Sequence, residues 1–184
     1  MSSDGHIILV NGASGSGKTT LCRQLTNQLH FPYIHISMDR FYEGLTQQPL
    51  SAMQRACLPT IYQGFLASVA AFADTGNRTL LDIVLINRAM KESAVRTFSS
   101  VPTYLVGLNC SQEILLKRNG ERRRRRNLCT EQVSAIHEDM FYDLTLDTEQ
   151  FSLGHCADQI IRYLDCGQKP TALTSLKREF DHGS

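Results

Sequence analysis

The chain has 184 residues, of which 42% are hydrophobic and 20% are charged, and its formal net charge at pH 7 is +1. This composition is ordinary for a soluble globular protein, and the length predicts a single domain over residues 1–184. Because the chain has neither a run of about 18 apolar residues nor a basic N-terminal region, we expect no membrane-spanning helix and no signal peptide. Six cysteines without a C-x-x-C pair favour reduced thiols in a cytoplasmic protein over disulfides or a zinc site.

Short apolar runs alternate along the chain with longer segments of helical pattern. This alternation is typical of βαβ units, and it predicts an α/β fold with a parallel sheet and helices on both faces. The tail, residues 167–184, has no strong pattern, so we expect it to be loosely ordered, with a short terminal helix as the alternative. The predicted elements are strand 7–10, helix 18–29, strand 33–37, helix 60–74, strand 79–85, helix 90–98, strand 103–108, helices 111–118 and 129–140, strand 144–146 and helix 150–165.

The turn after the first strand has the sequence GASGSGKTT and fits the pattern G-x-x-x-x-G-K-[ST]. Glycines let successive backbone N–H groups point inward around phosphate oxygens, and the helix that follows adds its positive N-terminal end. In this pattern the lysine reaches the β and γ phosphates, and the threonine hydroxyl ligates Mg²⁺. A Gly/Ser linker is the alternative. The predicted nucleotide site comprises Gly12, Ala13, Ser14, Gly15, Ser16, Gly17, Lys18, Thr19 and Thr20.

One aspartate follows a predicted strand and another lies within one, and we expect both at the carboxyl edge of the parallel sheet, where the ligand binds in an open sheet. Asp82 ends the apolar run of TLLDIVL, where a carboxylate can hold Mg²⁺ or its water, cap a turn, or lie nearer to an acceptor. Asp39 occupies the matching position after the second strand. A carboxylate there can accept the proton of an acceptor hydroxyl, with an N-cap or Asx-turn as the alternative. The aromatic pair Phe41 and Tyr42 can stack on a substrate ring or belong to the core.

Arginines are concentrated between two predicted helices, at Arg118 and at residues 122–126. We interpret residues 118–128 as a lid whose arginines neutralise charge on a transferring phosphoryl group. Arg118 and Arg122 are the first candidates, because residues four apart share a helix face. A solvated charge run and a nucleic-acid contact are the alternatives, and the lid is favoured over both.

Several motifs occur in an order that resembles the chloramphenicol phosphotransferase family over about residues 6–165. They are IILVNGASGSGKTT, Asp39 at matching spacing, RTLLDIVL, YLVGLNCSQEILLKR, GER, HEDMFYDLTLDT and the closing helix. The resemblance implies a P-loop kinase fold with a five-stranded parallel sheet and a lid. It also implies transfer of the ATP γ-phosphate to a primary hydroxyl of the antibiotic, with Asp39 as the base and LDT, residues 146–148, beside the adenine pocket.

The resemblance is weakest where the acceptor wall should lie. The stretch YEGLTQQPLSAMQRACLPTIYQ matches the family little, and the arginine run is longer than the family's lid. The segment SMDRFYEGL is also similar to the D-x-F-Y turn of uridine kinases, in which the aspartate serves a ribose hydroxyl.

The sequence therefore favours an ATP- and Mg²⁺-dependent kinase that phosphorylates a hydroxyl of a small molecule, either a chloramphenicol-like antibiotic or a related metabolite. A uridine-like nucleoside is the second acceptor class. A nucleoside monophosphate is less favoured, since only Arg40, Arg55 and Arg88 could hold its phosphate. A regulatory nucleotide-binding protein that contacts nucleic acid through its arginines is the hypothesis of a different class. The sequence does not indicate an oligomeric state.

Overall fold

A computed structural model describes residues 5–45, 51–120 and 132–182. Five parallel strands form one sheet, as the sequence predicts. The strands are β1 His6–Gly12, β2 Tyr33–Ser37, β3 Arg78–Ile83, β4 Thr103–Asn109 and β5 Leu144–Asp147. Their order across the sheet is β2-β3-β1-β4-β5. The strand that leads into the glycine-rich turn is therefore central. On one side of it lie β3, which contains Asp82, and then β2, which precedes Asp39.

Helices connect the strands, and each predicted helix is present with its ends shifted by a few residues. They are α1 Lys18–Gln28, α2 Met38–Glu43, α3 Ala52–Ala56, α4 Leu58–Asp74, α5 Arg88–Phe98, α6 Gln112–Gly120, α7 Gln132–His137, α8 Leu153–Asp165 and α9 Ala172–His182. Of the helix predicted over residues 129–140, the described part is helical over Gln132–His137, and Asp139 lies just beyond it in the left-handed region with φ 50°. In the described ranges, no helix is both long and apolar enough to cross a membrane.

The three central strands, β3, β1 and β4, are buried on both faces, which explains why they are mostly apolar. Side chains alternate along β1, so that Ile7 and Leu9 pack against α4, α5 and α9, whereas Ile8 and Val10 pack against α1 and α8. All four side chains are fully buried, and each contributes about 1.5–3 kcal/mol to folding. The two apolar layers hold the carboxyl ends of the strands in fixed positions.

The C-terminal tail is a helix over Ala172–His182, so the expectation of a loosely ordered tail is wrong for these residues and the alternative holds. Leu173, Leu176 and Phe180 lie on one helical face and are buried in the core. The carboxylate of Asp143 accepts hydrogen bonds from the first backbone N–H groups of this segment. Because this cap comes from a distant part of the chain, the local sequence pattern does not reveal it.

Candidate active site

The glycine-rich turn joins β1 to α1, in the strand–loop–helix context that the motif requires. Gly15 and Gly17 have φ of 90° and 101°, which L side chains rarely adopt. A Cβ on Gly12 would lie 2.7 Å from the carbonyl oxygen of Leu108. The backbone conformation therefore favours glycine at positions 15 and 17, and steric crowding requires it at position 12.

A cleft of about 330 Å³ opens over this turn. From the predicted nucleotide site, it is lined by Ser14, Gly15, Gly17, Lys18, Thr19 and Thr20. Gly12, Ala13 and Ser16 lie behind this surface. The buried Lys18 ammonium donates to the carbonyl oxygens of Gly12 and Ala13 at 2.8 and 2.9 Å. The turn thus holds a positive charge at the floor of the cleft.

Asp82 lies at the carboxyl end of β3 and is 4% exposed. Its Oδ2 accepts a hydrogen bond of 2.5 Å from the Thr19 hydroxyl. Burial by itself would raise the pKa of this carboxyl, but its neighbours, first His35 and then Lys18 and Thr19, outweigh burial and hold the pKa below its ordinary value. An ionised carboxylate beside a hydroxyl offers the hard oxygen donors that suit Mg²⁺.

Asp39 lies in the first turn of α2, directly after β2, and its side chain is exposed. It lines the cleft above the glycine-rich turn together with Lys18. It also lines a second cleft, of about 240 Å³, to which Lys18 and Asp82 contribute as well. Asp39 therefore stands at the boundary between the two clefts.

The second cleft has mainly apolar walls, and the sequence had indicated only part of them. Tyr42 lines this cleft, whereas Phe41 packs against the Phe65 ring with centroids 5.0 Å apart. A third space of about 360 Å³, which Arg55 borders, shares Tyr42 and Met90 with the second cleft. The apolar wall consists of Met38, Tyr42, Ile83, Val84, Ile86 and Met90.

Arg118, on α6, lines the first cleft, as does Leu153 at the start of α8. Its guanidinium donates to the carbonyl oxygen of Thr148 at 2.9 Å and to the Thr148 hydroxyl at 3.2 Å. That hydroxyl in turn donates to the carbonyl oxygen of Ser16 at 3.0 Å. Arg118 is thus connected to the glycine-rich turn through one threonine. Arg122 and the rest of the predicted lid up to residue 128 lie outside the described residues.

A buried hydrogen-bond network behind the turn was not predicted. Asn11 is fully buried, and its side chain accepts from the Leu85 N–H and donates to the Tyr142 hydroxyl. The same hydroxyl is 2.8 Å from Nδ1 of His137. Burial raises the pKa of Tyr142 to about 12 and lowers the pKa of His137. A polar residue inside the apolar run IILVNG was the one sequence feature that could have indicated this network.

Comparisons with known proteins identify the family of this chain. Residues 5–165 match the family model "Chloramphenicol phosphotransferase-like protein". The chain belongs to this family. A Mycobacterium tuberculosis protein named "Putative O-phosphotransferase" is 26% identical over 202 residues, which cover 96% of this chain and 90% of that protein. The chain is therefore a P-loop kinase that acts on a small molecule, as the sequence predicts.

Similar folds occur among solved kinases at low identity. The APS kinase of Mycobacterium tuberculosis, solved with AMPPNP and APS, superposes with a TM-score of 0.71 at 18% identity, covering 88% of this chain and 98% of that one. A gluconokinase from Sinorhizobium meliloti gives a TM-score of 0.57 at 18% identity, covering 98% of both chains. These likenesses show the P-loop kinase fold of this family member.

Proposed function

We propose that this protein transfers the γ-phosphate of ATP to a hydroxyl group of a small molecule bound in the second cleft, with Mg²⁺ as the metal. The proposal rests mainly on the position of Asp39, which lines both the cleft over the glycine-rich turn and the apolar cleft beside it. A carboxylate at this boundary lies where an acceptor hydroxyl would meet the terminal phosphate.

On the nucleotide side, the backbone N–H groups of residues 12–20 bind the phosphates, and the Lys18 ammonium neutralises charge on the β and γ groups. Thr19 and Asp82 would hold Mg²⁺, which supplies charge neutralisation on the phosphate oxygens. Arg118 borders the nucleotide cleft, and Arg122, in the lid segment, would add positive charge when the transferring group develops negative charge.

On the acceptor side, Asp39 acts as the general base. It accepts the proton as the acceptor O–H bond breaks, the acceptor oxygen bonds to the γ-phosphorus, and the bond from that phosphorus to the bridging oxygen breaks to release ADP. Because the Asp39 side chain is exposed, the proton can then pass to water.

The walls of the second cleft favour an uncharged acceptor. Its only charged side chains among the described residues are Lys18, Asp39 and Asp82, so a phosphorylated acceptor would meet two carboxylates. A chloramphenicol-like antibiotic or a related metabolite alcohol is the first class, and phosphorylation of an antibiotic would produce resistance. A nucleoside is the second class. It is supported by a chloroplastic uridine/cytidine kinase of Arabidopsis thaliana, which is 43% identical to this chain over 49 residues. That match covers 26% of this chain and 10% of the plant protein.

The test is an ATP-consumption screen over phenicols, nucleosides, sugars and other alcohols with wild-type protein, two site variants and one control variant. Lys18→Ala should abolish transfer. Asp39→Asn should lower turnover by about 10²–10⁴-fold while ADP binding stays near normal. Glu43→Gln, which changes an exposed acid on the same helix, is the matched control and should retain full turnover.

Three results would contradict the proposal. An active Lys18→Ala variant would refute the nucleotide site, and loss of ADP binding in Asp39→Asn would make Asp39 structural. The third is a wild-type protein that consumes no ATP with any alcohol but binds RNA or DNA in a salt-dependent manner. That result would favour the nucleic-acid hypothesis.

A further inference from the structure

We infer that His35 is a positioning residue for the metal-side carboxylate: its Nε2–H donates to Asp82 and holds that carboxylate toward Thr19 and the Mg²⁺ position. The inference rests on the metal site of the proposed function.

His35 lies in the middle of β2, where it pairs in register with Leu80 of β3. Leu80 packs into the core layer beneath α1, so His35 faces α1 as well. Asp82 lies two residues farther along β3 and therefore on the same face. The two side chains are 11% and 5% exposed, respectively, so both are largely buried on the α1 side of the sheet.

The geometry of the imidazole is unusual for a buried polar group. Nε2 of His35 is buried and has no hydrogen-bond partner among the described residues. The polar atom that faces it is Oδ2 of Asp82, at 3.8 Å. Buried polar atoms are nearly always paired, because leaving one unpaired costs free energy. A shift of about 1 Å would give a charge-assisted hydrogen bond of ordinary length.

The oxygen that faces His35 is the same one that accepts from Thr19. Two donors on one oxygen fix the rotation of the carboxylate about its Cβ–Cγ bond. The hydrogen of the Thr19 hydroxyl is then directed to Asp82, and the lone pairs of the hydroxyl oxygen are available to a cation. Without the imidazole donor, the carboxylate can rotate away from Thr19 and both metal donors lose their orientation. Partners of this kind typically change metal affinity by about 10–100-fold.

A purely structural role for His35 would be to fill space between β2 and α1. Three variants of His35 separate that role from positioning of the carboxylate. His35→Leu removes the donor and keeps apolar volume, with His35→Phe as a second donor-free variant that keeps the ring. His35→Gln places an amide N–H near the position of Nε2 and should restore function. His6→Leu is the matched control, because His6 is another partly buried sheet histidine, bonded to the Tyr33 hydroxyl at 2.8 Å and located at the opposite end of β1.

The first measurement is Mn²⁺ binding in the presence of ADP, monitored by the electron paramagnetic resonance spectrum of free Mn²⁺. The second is calorimetric binding of ADP without metal. We expect the donor-free variants to raise the Kd for Mn²⁺ by about 10–100-fold. Metal-free ADP binding should stay within about twofold. His35→Gln should recover most of the Mn²⁺ affinity, and His6→Leu should not change it.

Wild-type Mn²⁺ affinity in both donor-free variants would overturn the inference, as would a His35→Gln variant as weak as His35→Leu. Equal losses of Mn²⁺ and metal-free ADP binding would also overturn it, because they would indicate a general structural effect. If the wild-type protein binds no Mn²⁺ with ADP, the proposed function itself fails. The wild-type measurement therefore distinguishes the two failures.

Discussion

The C-terminal helix α9 provides a direct test of how a distant side chain fixes part of the fold. Asp143 precedes β5, and its Oδ1 accepts from the N–H groups of Thr171 and Ala172 at 2.7 and 3.0 Å. Its Oδ2 accepts from the N–H of Leu105 on β4 at 2.9 Å. One carboxylate thus caps α9 and takes the place of a strand partner. We predict that Asp143→Ala destabilises both contacts.

The expected magnitude follows from the groups that lose their partner. Losing a helix N-cap acceptor costs about 0.5–2 kcal/mol. Leaving the N–H of Leu105, a residue that is 1% exposed, without an acceptor costs about 1–3 kcal/mol. We therefore expect Asp143→Ala to lower the free energy of unfolding by about 2–4 kcal/mol. Asp143→Asn keeps an acceptor oxygen and should lose less.

Urea denaturation measures the free energy of unfolding, and limited trypsin digestion at the exposed Lys177 of α9 measures local release of the helix. Asp143→Ala should unfold at lower urea and lose α9 to trypsin faster than wild type. Asp158→Ala, an exposed carboxylate on α8, is the control and should change stability by less than about 0.5 kcal/mol. If Asp143→Ala matches this control in both assays, the carboxylate does not hold the helix.

Three further predictions concern the turn and the network behind it. Gly17→Ala places a side chain at φ 101° and should lower the free energy of unfolding by about 1–2 kcal/mol in urea denaturation. It should also weaken ADP binding in calorimetry. Its control is Gly64→Ala, inside α4 with nothing within 4 Å of the added methyl, which should not lower the free energy of unfolding. Tyr142→Phe removes the partner of Asn11 at 2.8 Å and should lower the free energy of unfolding by about 1–3 kcal/mol; an unchanged urea midpoint would contradict the network. Burial lowers the pKa of His137 from 6.5. The contribution of its neutral ring to the free energy of unfolding is therefore complete above pH 6.5 and declines as the pH falls toward the lowered pKa. When the pH is lowered from about 7.5 to about 5.5, the urea midpoint should therefore fall more for wild type than for His137→Gln. Equal falls would refute the assignment of this pH dependence to His137.

Local sequence patterns predicted most of the fold because the central strands are mostly apolar on both faces and the helices have a regular buried stripe. The run Ile8–Val10 is an example, since each of its side chains must be buried whichever face it takes. Short or remotely capped elements were not predictable in this way. The helix α2 has six residues, too few for a period to show, and α9 depends on a cap from Asp143, 28 residues before Thr171.

The sequence by itself determined the glycine-rich turn and the positions of Asp39 and Asp82 at the ends of neighbouring strands. It could do so because consecutive residues encode both features: the glycines that the backbone of the turn requires, and the end of an apolar run. Only the tertiary structure brought His35 to Asp82, and Asn11 to Tyr142 across 131 residues. Such pairs form because two buried polar groups must find partners once the strands and helices have packed, and spacing along the chain does not record which groups will meet.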